Sequence, residues 1–216
     1  MQSSDSRPDS VVIFGAGGHA KSVSDAALAQ GLIVRAYIDV SPNLTSFLGR
    51  PVYPEFIREF ADQGFIVFVA IGDNDVRARV QSSHKIAWPS VRIATIIHPT
   101  ASIAGTATLS EGVAVLQGGV VGSYTQVGAG VIINSGGVVD HDCQISDFAS
   151  IGPGATIGGS VDIGRQTQVG MGAVVRNNTS IGENTIIGAA SYVHASVPSD
   201  VVAYGMPAQV IRARET

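Results

Sequence analysis

The sequence predicts a chain of two regions, a small α/β unit followed by a parallel β-helix. Of the 26 glycines, 18 lie between Ile97 and Val193. This stretch carries only 8 of the 30 charged residues, whereas the first 96 residues carry 18. The glycine-rich stretch also repeats with a period of six, while the first region alternates strand and helix patterns. The two regions therefore differ in construction.

The period of six runs without interruption from Ile97 to Val193. All 17 positions at this spacing are Ile, Val or Leu, and glycine often follows them. A small or β-branched residue commonly stands four positions after each one. This period is typical of a parallel β-helix, in which each short strand directs one aliphatic side chain into the core before a turn. The repeat therefore predicts a prism with an aliphatic interior.

The first region predicts three strands and three helices in alternation. They are a strand over residues 10–14, a helix from the following glycine-rich loop to about residue 30, a strand over 32–38, a helix over 55–63, a strand over 65–71 and, after a loop over 72–74, a helix to about residue 86. This order is typical of a parallel sheet with helices on its faces. About 90 residues form half of a dinucleotide-binding fold, that is, one βαβαβ unit.

A phosphate-binding pattern follows the first predicted strand. Gly15, Gly17 and Ala20 have the spacing of the dinucleotide fingerprint, and Asp39 follows about 20 residues later, at the end of the second strand. Such a loop places a pyrophosphate at a helix N-terminus, with the acid near a ribose or sugar hydroxyl. A tight turn without a ligand is the alternative. Because this region forms only half of a dinucleotide-binding fold, a single nucleoside diphosphate is favoured over NAD as its ligand.

Composition excludes several other classes. The apolar share of 45% argues against disorder, and a net charge of −4 gives no reason to expect a nucleic-acid partner. No run approaches the roughly 18 apolar residues of a membrane span, and residues 1–10 lack a signal-peptide pattern. The single cysteine suits a reducing compartment. We therefore expect a cytoplasmic protein that neither enters nor contacts a membrane.

Three motifs carry a family resemblance that covers nearly the whole chain. They are the segment Ile13-Phe14-Gly15-Ala16-Gly17-Gly18-His19, the segment Asp140-His141-Asp142-Cys143 inside the repeat, and the C-terminal pattern from Val197-Pro198 through Pro207-Ala208 to Ile211-Arg212. Together they resemble the nucleotide-sugar N-acetyltransferases that acetylate 4-amino-4,6-dideoxy sugars, such as the perosamine and bacillosamine-pathway enzymes of bacterial glycan and O-antigen synthesis.

This resemblance implies an architecture and its partners. The β-helix would be left-handed, with three hexapeptides in each triangular coil. The protein would form a homotrimer, with acetyl-CoA in the groove between neighbouring prisms and no metal. We expect a nucleotide-sugar domain over residues 1–92, an acyltransferase β-helix over 93–196 and a capping segment over 197–216.

His141 is the candidate general base. It is the only histidine in the interior of the repeat, and its position two residues after Val139 places it off the core-facing row. A histidine near its usual pKa of ~6.5 accepts a proton at neutral pH, and a neighbouring carboxylate fixes its tautomer. The resemblance implies this role for His141, with Asp142 as its partner. The alternative is that His141 is an exposed turn residue without a catalytic role. For Cys143 we predict packing in the core.

The resemblance also implies two binding sets. The substrate-binding set is Gly17, Gly18, His19, Asp39, Gly72 and Asn134. The acetyl-CoA set is Ser150, Gly152, Gly159, Gly170, Met171, Gly188 and Ala189. Gly159 follows His141 by one coil, and its N–H is a candidate oxyanion donor. Some relatives have a histidine at the position of Ser150, so any contact between that imidazole ring and CoA is lost in this chain. His84, His98 and His194 lie in no motif, and we expect a surface or structural role for each.

The expected reaction is acetyl transfer from acetyl-CoA to the 4-amino group of the sugar by direct attack. GDP-perosamine is favoured, and UDP- or dTDP-linked amino sugars stay open. A sugar O-acetyltransferase of the sialic acid type and a non-catalytic nucleotide-binding trimer are the alternatives. A serine acetyltransferase would have a helical N-terminal domain, and a γ-carbonic anhydrase would need several histidines for zinc. Both are therefore disfavoured.

Overall fold

The computed structural model describes residues 10–41 and 43–215. Residues 1–9, Pro42 and Thr216 lie outside this part of the chain. The expectation that residues 1–10 do not form a signal peptide therefore falls almost entirely outside the described residues. The elements of the N-terminal unit are β1 Ser10–Phe14, α1 Gly18–Ala29, β2 Ile33–Ile38, β3 Ser46–Phe47, β4 Arg50–Tyr53, α2 Arg58–Asp62, β5 Ile66–Val69 and α3 Asn74–Ala87.

The sheet of this unit has the order β3-β4-β2-β1-β5, and its pairs are parallel except β3 with β4. The sequence missed the β3–β4 hairpin because its strands are too short for an alternating pattern. Its turn holds Leu48 and Gly49 at positive φ. Helix α2 is also shorter than the predicted range of 55–63. The residues predicted to form its first turn are not helical, and one of them, Phe56, packs into an aromatic cluster.

Seventeen two-residue strands follow, one for each hexapeptide. They are β6 Ile96–Ile97, β7 Ser102–Ile103, β8 Thr108–Leu109, β9 Ala114–Val115, β10 Val120–Val121, β11 Gln126–Val127, β12 Ile132–Ile133, β13 Val138–Val139, β14 Gln144–Ile145, β15 Ser150–Ile151, β16 Thr156–Ile157, β17 Asp162–Ile163, β18 Gln168–Val169, β19 Val174–Val175, β20 Ser180–Ile181, β21 Ile186–Ile187 and β22 Tyr192–Val193. Each strand pairs in parallel with the strand 18 residues later, so three hexapeptides form one coil.

The coils stack into a prism with three faces. The first face contains β6, β9, β12, β15, β18 and β21, the second contains β7 to β22 in steps of three, and the third contains β8 to β20 in steps of three. The turns that follow the three faces form the first corner (residues 116–118, 134–136, 152–154, 170–172 and 188–190), the second corner (122–124, 140–142, 158–160 and 176–178) and the third corner (110–112, 128–130, 146–148, 164–166 and 182–184).

The second residue of every strand points into the prism. These side chains are fully buried from Val115 to Val193, and only the first three, at the open end of the prism, are partly exposed. Strands β23 Val201–Gly205 and β24 Ala208–Ala213 form an antiparallel hairpin that continues the first face beyond β21. The period of six thus corresponds to one inward side chain per strand.

The N-terminal unit packs on the first face and the third corner. Its core continues from Val11 and Phe68 into the outward side chains Ile96, Ala114 and Leu116 of the first coils. One polar side chain reinforces this apolar contact: Arg77 of α3, which is fully buried.

The guanidinium of Arg77 joins three segments of the chain. It donates to the carbonyls of Ile71 and Gly72 after β5, at 2.9 and 3.1 Å. It also donates to the carbonyls of Gly130 and Phe148 at the third corner, both at 2.8 Å. A further bond of 2.7 Å goes to Oδ1 of Asn74, whose amide donates to the same corner. Burial lowers the pKa of Arg77 to about 10, so the side chain stays charged.

Replacement of Arg77 by Met should destabilise the protein by about 3–5 kcal/mol, because several buried carbonyls lose their donors at once. Denaturant unfolding followed by the fluorescence of Trp88, the single tryptophan, measures the change. Arg79→Met is the matched control two residues along the helix. Its side chain is exposed, and its effect should stay within about 0.5 kcal/mol. Equal losses from the two variants would contradict the role of Arg77.

Candidate active site

A cavity of about 880 Å³ opens at the carboxyl ends of β1, β2 and β5. Such ends of parallel strands are where ligands bind in open α/β sheets. Five of the predicted substrate-binding residues line the cavity: Gly17, Gly18, His19, Asp39 and Gly72. The sixth, Asn134, lies on the first corner of the prism and does not line it.

One end of the cavity suits an anion. Helix α1 begins there with Gly17 as its N-cap, without a side-chain cap and without an acid in its first turn. The first N–H groups of the helix are therefore open to a ligand. Helix α3 differs, because Asp73 caps it through a bond of 2.8 Å to the N–H of Val76. Among the described residues, Arg79 is the one Lys or Arg whose side chain lines the cavity. No sequence motif predicted this position for Arg79.

Asp39 ties the second strand to the glycine-rich loop. Its Oδ2 accepts from the N–H of Ala16 and its Oδ1 from the N–H of Ser41, both at 2.9 Å. The hydrogen bonds from Ser41, chief among several effects, hold the pKa of Asp39 below its usual range. The carboxylate is therefore ionised at neutral pH, and its remaining lone pairs can accept from a hydroxyl.

His19 is half-buried and lies in the first turn of α1. Burial, with a smaller contribution from the charge of Arg77, lowers its pKa to about 4. Its Nε2 is buried and has no hydrogen-bond partner in the described structure. His84, for which the sequence predicted only a surface or structural role, lies in the wall of the same cavity.

His141 and Asp142 lie together at the second corner. Nδ1 of His141 is 2.8 Å from Oδ2 of Asp142, and the His141 side chain is 56% exposed. This bond favours the tautomer with its proton on Nδ1, which leaves Nε2 as an acceptor. The hydrogen bond to Asp142 and, next, the charge of Asp140 raise the pKa of His141 above its usual range. Asp142 has a φ of 57°, as Tyr124 and Ser160 have at the same turn position of the neighbouring coils.

Gly159 lies directly beneath the ring of His141. A Cβ at Gly159 would lie 2.6 Å from Cε1 and Nε2 of His141, so a side chain here would displace the imidazole. Among the described residues, the N–H of Gly159 has no acceptor. The imidazole of His141 therefore covers Gly159, which is buried beneath it. Cys143 is fully buried behind them, as core packing requires, and burial raises the pKa of its thiol.

The predicted acetyl-CoA residues other than Gly159 lie on or beside the first corner. Gly152, Gly170 and Gly188 stack one above another there. A Cβ at Gly152 would lie 2.7 Å from the N atom of Met171, and one at Gly188 would lie 2.5 Å from Cβ of Tyr204. Coil stacking alone therefore requires these glycines. Met171 is 63% exposed, Ala189 is also exposed, and Ser150 points outward on the first face.

The predicted residues therefore occupy three places on one chain: the cavity, the second corner and the first corner. Among residues 10–41 and 43–215, no group of three or more His, Cys, Asp or Glu side chains could hold a metal ion. Nor does that part of the chain contain a helix long and apolar enough to cross a membrane.

Comparisons with known proteins agree with both halves of the fold. The family model described as the PglD N-terminal domain matches residues 10–83. The model described as bacterial transferase hexapeptide, six repeats, matches residues 160–195. The comparison with curated proteins finds no match. The two family models confirm the predicted fold class, an α/β unit followed by a left-handed parallel β-helix.

Solved structures resemble almost the entire chain. PerB from Caulobacter crescentus, in complex with CoA and GDP-perosamine, is 36% identical with a TM-score of 0.88, and the match covers 94% of this chain and 97% of that one. The acetyltransferase domain of PglB from Neisseria gonorrhoeae, in complex with acetyl coenzyme A, is 28% identical with a TM-score of 0.86, and covers 94% and 100%. WeeI from Acinetobacter baumannii, at 24% identity and a TM-score of 0.83, shares the fold.

The Asp142→Asn variant should have a His141 whose pKa is lower than in the parent protein, because the carboxylate hydrogen bond is the largest cause of the increase. NMR titration of the histidine ring protons measures the pKa directly. Asp162→Asn, on the third face, removes a comparable exposed charge away from the ring and should leave this pKa unchanged. A His141 pKa that is the same in Asp142→Asn and the parent would contradict the pairing.

Proposed function

We propose, since the chain belongs to the left-handed β-helix family of nucleotide-sugar N-acetyltransferases, that it acetylates the 4-amino group of a nucleotide-linked 4-amino-4,6-dideoxy sugar. The chain is an acyltransferase that uses acetyl-CoA. GDP-perosamine is our favoured acceptor, since the PerB structure, which is 36% identical, holds GDP-perosamine and CoA. UDP- and dTDP-linked amino sugars are the alternatives that an assay must separate.

The observation that carries this proposal is the exposed His141–Asp142 pair above Gly159. Attack of a neutral amine on a thioester forms a C–N bond and breaks the C–S bond, and the amine must lose a proton. Nε2 of His141 is unprotonated in the favoured tautomer and open to solvent, so it can take that proton. Asp142 then stabilises the imidazolium through Nδ1. The free N–H of Gly159 is within reach of the developing oxyanion.

Acetyl-CoA supplies the activated thioester, and the first corner has the surface to hold it. Met171, Tyr204 and Met206 are exposed by 63%, 49% and 76%, which is unusual for large apolar side chains. Tyr204 packs beside Gly188, so the C-terminal hairpin and the glycine stack form one continuous surface. Apolar contacts with exposed backbone between them suit a pantetheine arm and an adenine ring.

A homotrimer is part of the proposal. From β10 onward the outward residues of the second face are largely apolar, and no described segment covers them (Val120, Val138, Thr156, Val174 and Tyr192), whereas the first outward residue, Ser102 of β7, is polar. The corresponding residues of the third face are mostly polar (Thr108, Gln126, Gln144, Asp162 and Ser180). Exposed apolar strips of this kind mark interfaces. His141 lies at the edge of the second face and away from the cavity, so a neighbouring protomer is needed to bring the sugar and the base together.

Replacement of His141 by Asn should lower kcat for acetyl transfer to a GDP-linked 4-amino sugar by roughly 10²- to 10⁴-fold, as loss of a general base does. Nucleotide binding should persist, because the cavity does not contain His141. His98→Asn is the control, since this histidine bonds to Thr100 and lies outside the proposed site. Full turnover in His141→Asn would exclude this residue as the base, and no transfer to any amine by the parent protein would exclude the proposed function.

Val138→Arg should dissociate the oligomer, because it places a charge on the apolar strip of the second face. Gln144→Arg, six residues later on the third face, is the matched control and should leave the oligomer intact. Size-exclusion chromatography with light scattering gives the number of chains. A monomeric parent protein, or a trimer that survives Val138→Arg, would count against this interface.

A further inference from the structure

A buried hydroxyl lies one coil before the turn that carries His141. Thr125 is fully buried and follows the second corner of its own coil. Its Oγ1 donates to the carbonyl of Asp140 at 2.6 Å and accepts from the N–H of Cys143 at 3.1 Å. Asp140 and Cys143 stand on either side of His141 and Asp142 in the chain. The hydroxyl therefore bridges the two ends of the turn that holds the proposed base.

This bridge replaces the hydrogen bond that closes an ordinary turn of the prism. At the first corner, for example, the N–H of Gly137 donates directly to the carbonyl of Asn134 at 2.8 Å. In the described structure, the N–H of Cys143 and the carbonyl of Asp140 do not bond to each other. Both bond to Thr125 instead, because a hydroxyl can donate and accept at once. The conformation of this turn thus depends on a side chain of the previous coil.

The turn beneath the imidazole is held in a similar manner. Cys143 occupies the place of Thr125 one coil later, and its Sγ donates to the carbonyl of Gly158 at 3.2 Å. That carbonyl directly precedes Gly159, over which the ring of His141 lies. The turn that carries the base and the turn on which its ring lies are therefore both fixed from the core.

The neighbouring coils lack this contact at the second corner. The residues equivalent to Thr125 and Cys143 in the preceding and following coils are Ala107 and Val161, whose side chains have no hydrogen-bonding group. At the third corner, Thr167 makes the same two kinds of bond as Thr125. The hydroxyl bridge is thus a general device of the prism, and its effect depends on what the bridged turn carries.

We propose that Thr125 is a positioning residue for the reaction and that its hydroxyl sets where the imidazole of His141 stands. This inference rests on the proposed function, in which His141 takes the proton of the amine. The carbonyl of Asp140 and the N–H of His141 belong to one peptide group, so a rotation of that peptide carries the ring with it. The N–H also donates to Oδ1 of Asp140 at 2.8 Å. Catalytic groups must be held to within about 0.5 Å of their productive position, and this bridge supplies part of that constraint.

Thr125→Val removes the hydroxyl and has nearly the same shape. The N–H of Cys143 and the carbonyl of Asp140 then lose their partner in the core, and the turn recovers a bond by closing on itself as at the first corner. This change displaces His141. We expect kcat for acetyl transfer to a GDP-linked 4-amino sugar to fall roughly 10- to 100-fold, as a displacement of about 1 Å does. Both KM values should stay within about twofold, because Thr125 is buried and does not line the cavity.

Thr167→Val is the matched control. Oγ1 of Thr167 donates to the carbonyl of Gly182 at 2.6 Å and accepts from the N–H of Thr185 at 3.1 Å, the same distances as at Thr125. Since the bridged turn lies at the third corner, this variant should lose as much thermal stability as Thr125→Val and retain the parent kcat. Thr125→Ser keeps the hydroxyl and should restore kcat close to the parent value. Thr125→Cys has the thiol that Cys143 uses, and its kcat should fall between those of the parent and Thr125→Val.

A second measurement does not require turnover. The hydrogen bond to Asp142 is the chief cause of the raised pKa of His141, so a displaced ring should have a lower pKa. NMR titration of the histidine ring protons should show this decrease in Thr125→Val and the parent value in Thr167→Val. If Thr125→Val does not fold, both measurements are made on Thr125→Cys.

Three outcomes would overturn the inference: an unchanged kcat in Thr125→Val, an equal loss of kcat in Thr167→Val, and a kcat in Thr125→Ser as low as in Thr125→Val. Any of these, with an active parent protein, would refute the positioning role alone. Transfer to no amine by the parent protein would refute the proposed function. In that case the titration still decides the role of Thr125, since an equal His141 pKa in the parent and Thr125→Val would contradict it.

Discussion

The buried guanidinium of Arg77 is the interaction on which the arrangement of the molecule depends. Within the described part of the chain, no carboxylate is hydrogen-bonded to it, and its acceptors are backbone carbonyls and one amide oxygen. A buried charge is stable only when such acceptors are all in place. Because the acceptors belong to the loop after β5, helix α3 and the third corner of the prism, one side chain fixes the cavity wall relative to the β-helix. The cavity therefore lies at a fixed position relative to the prism corners.

The sequence predicted the β-helix well and the cavity only in part, and the physical reason differs between the two. Because every sixth side chain points into the prism, the period of six identifies the inward residues, and these could be assigned one by one from Ile97 to Val193. Helix α3 carries Asp75, Arg77, Arg79 and Lys85 and reads as an ordinary charged surface helix. Nothing local distinguishes the buried arginine from the exposed one. Their roles depend on packing between units that are distant in sequence.

Glycine serves several purposes in the prism, and the contacts beside each glycine separate two of them. Beside Gly152 and Gly170, the space that a Cβ would take is occupied by the backbone of the next coil. Beside Gly159, it is occupied by the imidazole of His141. The first kind of glycine is required for the coils to stack at all. The second is required only for the ring to lie in its observed position, so Gly159 is the glycine whose presence points to chemistry at the second corner.

The histidines divide in the same manner, by environment. His84 is buried and His19 is half-buried, and desolvation lowers the pKa of each to about 4, so both imidazoles are neutral near pH 7. His141 is exposed, and Asp142 raises its pKa. A raised pKa increases the proton affinity of the base but also the fraction already protonated at neutral pH. Since a base must be unprotonated to act, the catalytic benefit that we propose for Asp142 is greatest above the pKa of His141, where orientation and imidazolium stabilisation remain and little base is lost to protonation.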